Sequence, residues 1–153
     1  MKKLPYQEGS WFAVPLREGG YAVGVVARMA PAGRIILTYL FGSKHDTVPN
    51  LADVAQLQPK DACKCLRIGD LGLMNGKWPI IGDSQYWEQQ AWPVPSFVRR
   101  DDMSKRAWRV IYSDADPSKL EREESVPYEI SGLEENGLYG YGAVELLMTK
   151  LLA

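Results

Sequence analysis

The sequence predicts an α+β fold, mostly antiparallel β, arranged as a curled sheet or partly open barrel with a C-terminal helix packed on it. Three observations point there. Alternating or continuously apolar runs fill the first third and are cut by Gly- and Pro-bearing turns. A second group of short runs follows in the middle of the chain. Only the last stretch changes period, with apolar residues every three or four positions. The chain has 153 residues, 46% apolar and 24% charged. That suits one domain over 1–153, with a core that needs no staples.

The first third reads as a meander. Trp11 to Leu16 alternates, with Phe12, Val14 and Leu16 on one face and Trp11, Ala13 and Pro15 on the other. Pro15 suggests an edge or a bulge. Glu18-Gly19-Gly20 is a turn signal. Tyr21 to Met29 follows, with Tyr21, Val23, Val25, Ala27 and Met29 aligned. Ala30-Pro31-Ala32-Gly33 turns the chain again. Arg34 to Phe41 is the third strand, aligning Ile35, Leu37, Tyr39 and Phe41. Gly42 to Pro59 reads as a loop with a short strand at Val54 to Leu57. Ala62 to Ile68 is the fourth long strand.

Leu71 to Met74 and Lys77 to Ile81 flank Asn75-Gly76, a hairpin signal because both residues accept φ > 0 in a type I′ turn. Pro79 in the second arm places that hairpin at an edge. Ser84 to Ser96 is a loop rich in Trp, Tyr and Pro. Phe97 to Arg100 and Trp108 to Tyr112 are two further strands. Pro117 to Asn136 is acidic and mostly aperiodic, with Val126, Tyr128 and Ile130 as a possible short strand. Leu138, Tyr141, Val144, Leu147, Met148, Leu151 and Leu152 then mark one helix. Gly137, Gly140 and Gly142 weaken its start, so its stable part is expected from about Ala143.

The two cysteines, Cys63 and Cys65, are two apart on a strand and leave the same face. That spacing does not suit a disulfide, and reduced thiols fit a cytoplasmic protein. Met1-Lys2-Lys3 is not followed by an apolar leader, and no run is long enough to span a bilayer, so no membrane role is expected. The net charge of -1 hides an asymmetry. Residues 1–113 carry 15 basic and 10 acidic side chains, a net of +5, whereas residues 114–135 carry 2 and 8, a net of -6.

Three kinds of chemistry compete. Metal-dependent hydrolysis commonly draws on several His and carboxylate ligands, yet His45 is the single histidine. Asp101, Asp102, Asp114 and Asp116 form no ligand spacing, His45-Asp46 is not a base with an orienter, and no nucleophile sits in a G-x-S-x-G context. No catalytic residue, metal site or cofactor is therefore expected. Arg99, Arg100, Lys105, Arg106, Trp108 and Arg109 resemble a nucleic-acid strip, but Asp101 and Asp102 interrupt it and the pI is about 5.9, too low for such a domain. Protein binding uses two features. One is an acidic segment with Asp114, Asp116, Glu121, Glu123 and Glu124, suited to steering a basic partner. The other is the aromatic loop with Tyr86, Trp87 and Trp92, suited to desolvated anchors.

The most distinctive stretch is G-D-L-G-L-M-N-G-K-W-P-I-I-G from Gly69, followed by W-P-V-P-S-F-V-R-R-D from Trp92. Together with L-P-Y-Q-E-G-S-W-F-A-V-P-L-R-E-G-G-Y-A-V-G-V-V-A-R-M (Leu4 to Met29) and, more loosely, Asp61 to Asp70, it resembles the immunity protein 26 family. The resemblance runs to about Tyr112 and weakens beyond. Gly69, Asp70, Gly72, Asn75, Gly76, Trp78, Pro79 and Gly82 match the signature, as do Phe97 and Arg99 in the second piece. None matches as catalytic. They read as backbone-shaping positions, with Asp70 capping a turn and Arg99 in a structural ion pair. The resemblance implies a protein that binds and neutralises a cognate bacterial toxin by stoichiometric occlusion. The family label is also linked to a small phosphotriesterase, which implies a hydrolase as the alternative, and a nucleic-acid-binding β-barrel module is the third.

Overall fold

The computed structural model describes residues 3–153. Its strands β1 (Ser10–Pro15), β2 (Tyr21–Met29) and β3 (Ile35–His45) form the expected meander. The intervening turns use Gly19, Gly20 and Gly33 at positive φ, where a glycine costs no steric strain. β4 (Ala62–Gly69) adds beyond β3, and β5 (Ile80–Asp83) adds beyond β1. The resulting order is β4-β3-β2-β1-β5, with every neighbour antiparallel. Pro15 ends β1 past the residues that pair with β5, so its missing N–H breaks no ladder there.

Both faces of this sheet are buried, which is why its strands read as nearly continuous apolar runs. On one face Phe12, Val14, Ile36, Leu40, Leu66 and Ile68 pack against Trp78 and the C-terminal helix. On the other face Trp11, Val23, Val25, Leu37, Tyr39 and Phe41 meet Trp92 and a second sheet. That second sheet consists of β6 (Phe97–Asp101), β7 (Arg106–Tyr112), β8 (Leu120–Val126) and β9 (Glu134–Glu135). Its order is β8-β7-β6-β9, antiparallel except for the short β6–β9 pair. The chain is thus α+β and mostly antiparallel, but its strands belong to two hydrogen-bonded sheets and not to one curled sheet or barrel. Phe97, Val110 and Tyr112 fasten the second sheet to the first through side chains alone.

Three local expectations fail for physical reasons. Asn75-Gly76 does not turn a hairpin. Leu71–Met74 is one helical turn (α2, following α1 at Leu51–Val54), and Asn75 ends it at φ -93°, leaving only Gly76 at positive φ. The Asp70 carbonyl accepts the N–H groups of Leu73 and Met74, which winds the segment before a strand forms. Val54 to Leu57 is not a strand either, because Asn50 caps α1 by accepting the Asp53 N–H. Within the acidic segment, Leu120–Val126 is a strand where mostly aperiodic chain was expected. Val126 ends it, and Tyr128 and Ile130 lie outside. The helix α3 (Tyr141–Leu151) starts two residues before Ala143 and buries Val144 and Met148 against the first sheet.

One irregularity in β2 shapes the second face. The β2–β3 register slips between Val26, opposite Thr38, and Arg28, opposite Leu37. Ala27 is the extra residue, so a single bulge puts Ala27 and Arg28 on the same side and sends Met29 to the helix side. The simple alternation from Tyr21 to Met29 therefore stops at Ala27.

Candidate partner-binding surface

The signature residues assemble a structural joint. Asp70 is buried, and its Oδ2 accepts both the Tyr6 hydroxyl at 2.6 Å and the Arg34 N–H at 2.8 Å. It thereby stitches the N-terminal segment and the β2–β3 turn to the end of β4. Burial, and then the hydrogen bond and negative charge of Asp70, push the Tyr6 phenol above its ordinary range. The Trp78 ring stacks on Phe12 with centroids 5.4 Å apart, and its Nε1 donates to Glu145 of α3 at 2.9 Å. Gly72 lies against that ring, where a Cβ would stand 2.9 Å from Trp78. Gly69 pairs with Ile35 of β3, Gly82 pairs with Trp11, and the Pro79 carbonyl accepts the Ala13 N–H. Phe97 is in the core, and Arg99 does form an ion pair, donating to both oxygens of Glu123 at 3.0 and 3.1 Å.

Two buried arginines escaped the sequence reading. Arg28, Leu37 and Arg67 lie in one row across β2, β3 and β4. Arg28 is 2% exposed and donates to the carbonyls of Ala27, Trp92 and Asp114 and to the Asp114 carboxylate at 3.0 Å. Arg67 donates to the Pro117 carbonyl at 2.7 Å and the Tyr112 hydroxyl at 2.9 Å, and stacks on the Tyr112 ring at 3.7 Å. Burial lowers its pKa from the ordinary arginine value. The row therefore grips the β7–β8 turn at two points. Only the bulge after Val26 aims Arg28 into this layer, and bulges leave no trace in a pattern of apolar residues.

The acidic residues are outward but already engaged. Asp114 reaches the buried Arg28 while its own side chain stays 73% exposed. Asp116 accepts the Ser118 hydroxyl and N–H, which hold its carboxyl below the usual range. Glu121 and Glu124 share Arg122, and the bond from Arg99 lowers the Glu123 pKa. The aromatic residues divide differently. Trp92 is 8% exposed and sits edge-on to Trp11, Tyr39 and Phe41, so it is part of the core. Trp87 stacks on it at 5.2 Å, with its buried indole N–H unpartnered among the described residues. Tyr86 is 84% exposed. Between this loop and the Ala55–Pro59 segment opens a groove of about 610 Å³, floored by Trp11, Trp87 and Trp92 and rimmed by Leu57, Tyr86 and Glu88.

The other candidates do not converge. Asp101 and Asp102 stand at the start of the β6–β7 turn, and Asp114 and Asp116 at the far end of β7. The length of β7, roughly 20 Å, separates the two pairs. Among the described residues no three His, Cys, Asp or Glu side chains come together as metal donors. Burial raises the thiol pKa of Cys63 and pushes that of Cys65 up to about 12, so both stay protonated near neutrality. His45 ends β3 opposite Tyr21, beside Asp46. In the basic strip, Arg99 and Arg106 lie over the Trp108 ring at 4.1 and 5.4 Å. Arg100 binds Glu135 and the carbonyls of Tyr128 and Ile130. Lys105 lies over Tyr128, and Arg109 sits opposite Glu124. Among the described residues no helix is long and apolar enough to cross a membrane.

Fold and surface together define a small two-sheet α+β module with an aromatic groove on one side of its first sheet, the Trp78 joint on the other, and an acidic strand at the edge of its second sheet. The family model for Immunity protein 26 matches residues 7–109, about two thirds of the chain. The protein belongs to that family. No curated protein and no solved structure matches it.

Proposed function

We propose that this protein is an immunity protein that binds a cognate bacterial toxin in the cytoplasm and neutralises it by stoichiometric occlusion. Membership of the immunity protein 26 family carries this reading. The contact surface on this view combines the Tyr86–Trp92 groove with the acidic turn and strand. Tyr86 and the outer face of Trp87 are the anchors, and Trp92 is the rigid floor beneath them. Buried aromatic anchors dominate binding energy when water is excluded around them. Asp114, Asp116, Glu121, Glu123 and Glu124 act at longer range. Their paired geometry limits direct contact energy, but the net -6 over residues 114–135 still attracts a basic toxin.

Two measurements test the reading. Co-expression with the toxin encoded beside this gene is expected to restore growth, and the two proteins are expected to co-elute at one to one. Tyr86→Ala with Trp87→Ala should weaken the complex by about a hundredfold, on the scale of a hot-spot pair. Absence of both rescue and complex would overturn it. Among the described residues no specific contact favours the hydrolase or the nucleic-acid module.

A further inference from the structure

We propose that the open edge of β8 is a self-association surface, on which a second copy of this chain lays its own β8 antiparallel across a twofold axis at Glu123. β8 ends the second sheet and pairs with β7 alone. Its outer row of N–H and C=O groups has no strand partner among the described residues, and such a row is a template for another strand. The other edges are weaker templates. β5 has four residues and β9 has two. Part of the β4 rim is taken by Tyr139, which bonds the Gly69 N–H and the Arg67 carbonyl.

The sequence of β8, L-E-R-E-E-S-V, selects the occupant. Side chains directly opposed in an antiparallel pair share a face, so a twofold axis through the sheet must pass through a residue. With the axis at Glu123, Arg122 faces the partner's Glu124, and Glu124 faces the partner's Arg122. The matched stretch runs from Arg122 to Glu124; beyond it the bulge at Glu121 turns Leu120 to the face of Glu123, away from that of Val126. The two Glu123 side chains meet at the axis, but each is already held by Arg99 through two bonds. Moving the axis to Arg122 opposes two arginines and sets Glu121 against the partner's Glu123. Moving it to Glu124 opposes two glutamates and sets Arg122 against the partner's Val126. Only the Glu123 register places opposite charges across from each other. In the single chain Arg122 spans Glu121 and Glu124 of its own strand, and pairing exchanges these bridges for cross-strand ones. One strand per copy makes a small interface, so the association is weak, with Kd roughly micromolar or above.

Sedimentation equilibrium of the full chain, from roughly 10 μM to 1 mM, is expected to give a concentration-dependent monomer–dimer equilibrium. Arg122→Glu and Glu124→Arg should each weaken it more than about tenfold, because two attractive pairs become repulsive. The double variant Arg122→Glu/Glu124→Arg should restore it. An equimolar mixture of the two single variants should form a heterodimer, since one strand then carries two acids and the other two arginines. Arg122 is exposed and Glu124 half-buried opposite Arg109, so thermal unfolding of each variant serves as the fold control. A wild-type chain that remains monomeric, or a double variant as weak as the singles, would overturn the proposal. The experiment involves no toxin, so its outcome is independent of the immunity reading.

Discussion

At Asp70 a single carboxylate oxygen takes two donors from distant parts of the chain, and at Trp78 one indole joins sheet to helix. Such residues make the signature stretch a fastening. Gly72→Ala is expected to destabilise by about 1–3 kcal/mol, because the added methyl would press the Trp78 ring off Phe12; urea unfolding measures this. The phenols report the same packing through pH. Burial raises the pKa of Tyr6 and of Tyr39 well above the ordinary 10.0, with Asp70 and Cys65 respectively as the next causes. Folding therefore favours the neutral phenol. That contribution is fully present below pH 10 and is lost progressively as pH rises past it, because the unfolded chain releases these protons first. Stability measured from pH 8 upward should fall beyond about 10, and the fall should be shallower in Tyr6→Phe/Tyr39→Phe.

Among the elements, the bulged β2 and the turn it grips show how local geometry decides energetics. Arg28→Ala removes the donor from three carbonyls and one carboxylate, and is expected to cost about 3–5 kcal/mol. Asp114→Ala leaves the carbonyl bonds in place and removes a largely exposed partner, so about 1 kcal/mol is expected. Chemical denaturation of the two variants checks the ordering. The strands of the first sheet were legible because both their faces are apolar: Phe12 and Val14 against Trp11 and Ala13, Leu37 and Tyr39 against Ile36 and Leu40. α3 was legible from Val144 and Met148. β8 was hidden because Glu121, Arg122, Glu123 and Glu124 put charge on both of its faces, which leaves no period to detect. Asn75-Gly76 misled because the Asp70 carbonyl, four residues upstream of Met74, competes for the same backbone. In the candidate surface, Tyr86 and Trp87 were found by type. The burial of Trp92 and the pairing of Asp114 with Arg28 and of Glu123 with Arg99 depend on contacts far apart in sequence.

For the whole molecule, charge asymmetry is the property a partner meets first. If the acidic turn and strand steer a basic toxin, association should slow by about tenfold or more between low and physiological salt, while dissociation changes little. Stopped-flow mixing at several ionic strengths measures this, and reversing Asp114, Asp116 and Glu121 should flatten the dependence. The arginine row has a consequence for time as well as for strength. Arg28 and Arg67 flank Leu37 in one row only once β2, β3 and β4 are in register, so their hold on the β7–β8 turn follows that ladder. The expected order of assembly is one ladder first and its cover second. In chevron experiments Arg67→Ala is expected to quicken unfolding while leaving refolding nearly untouched, the mark of a clasp that shuts after the rate-limiting barrier has been crossed.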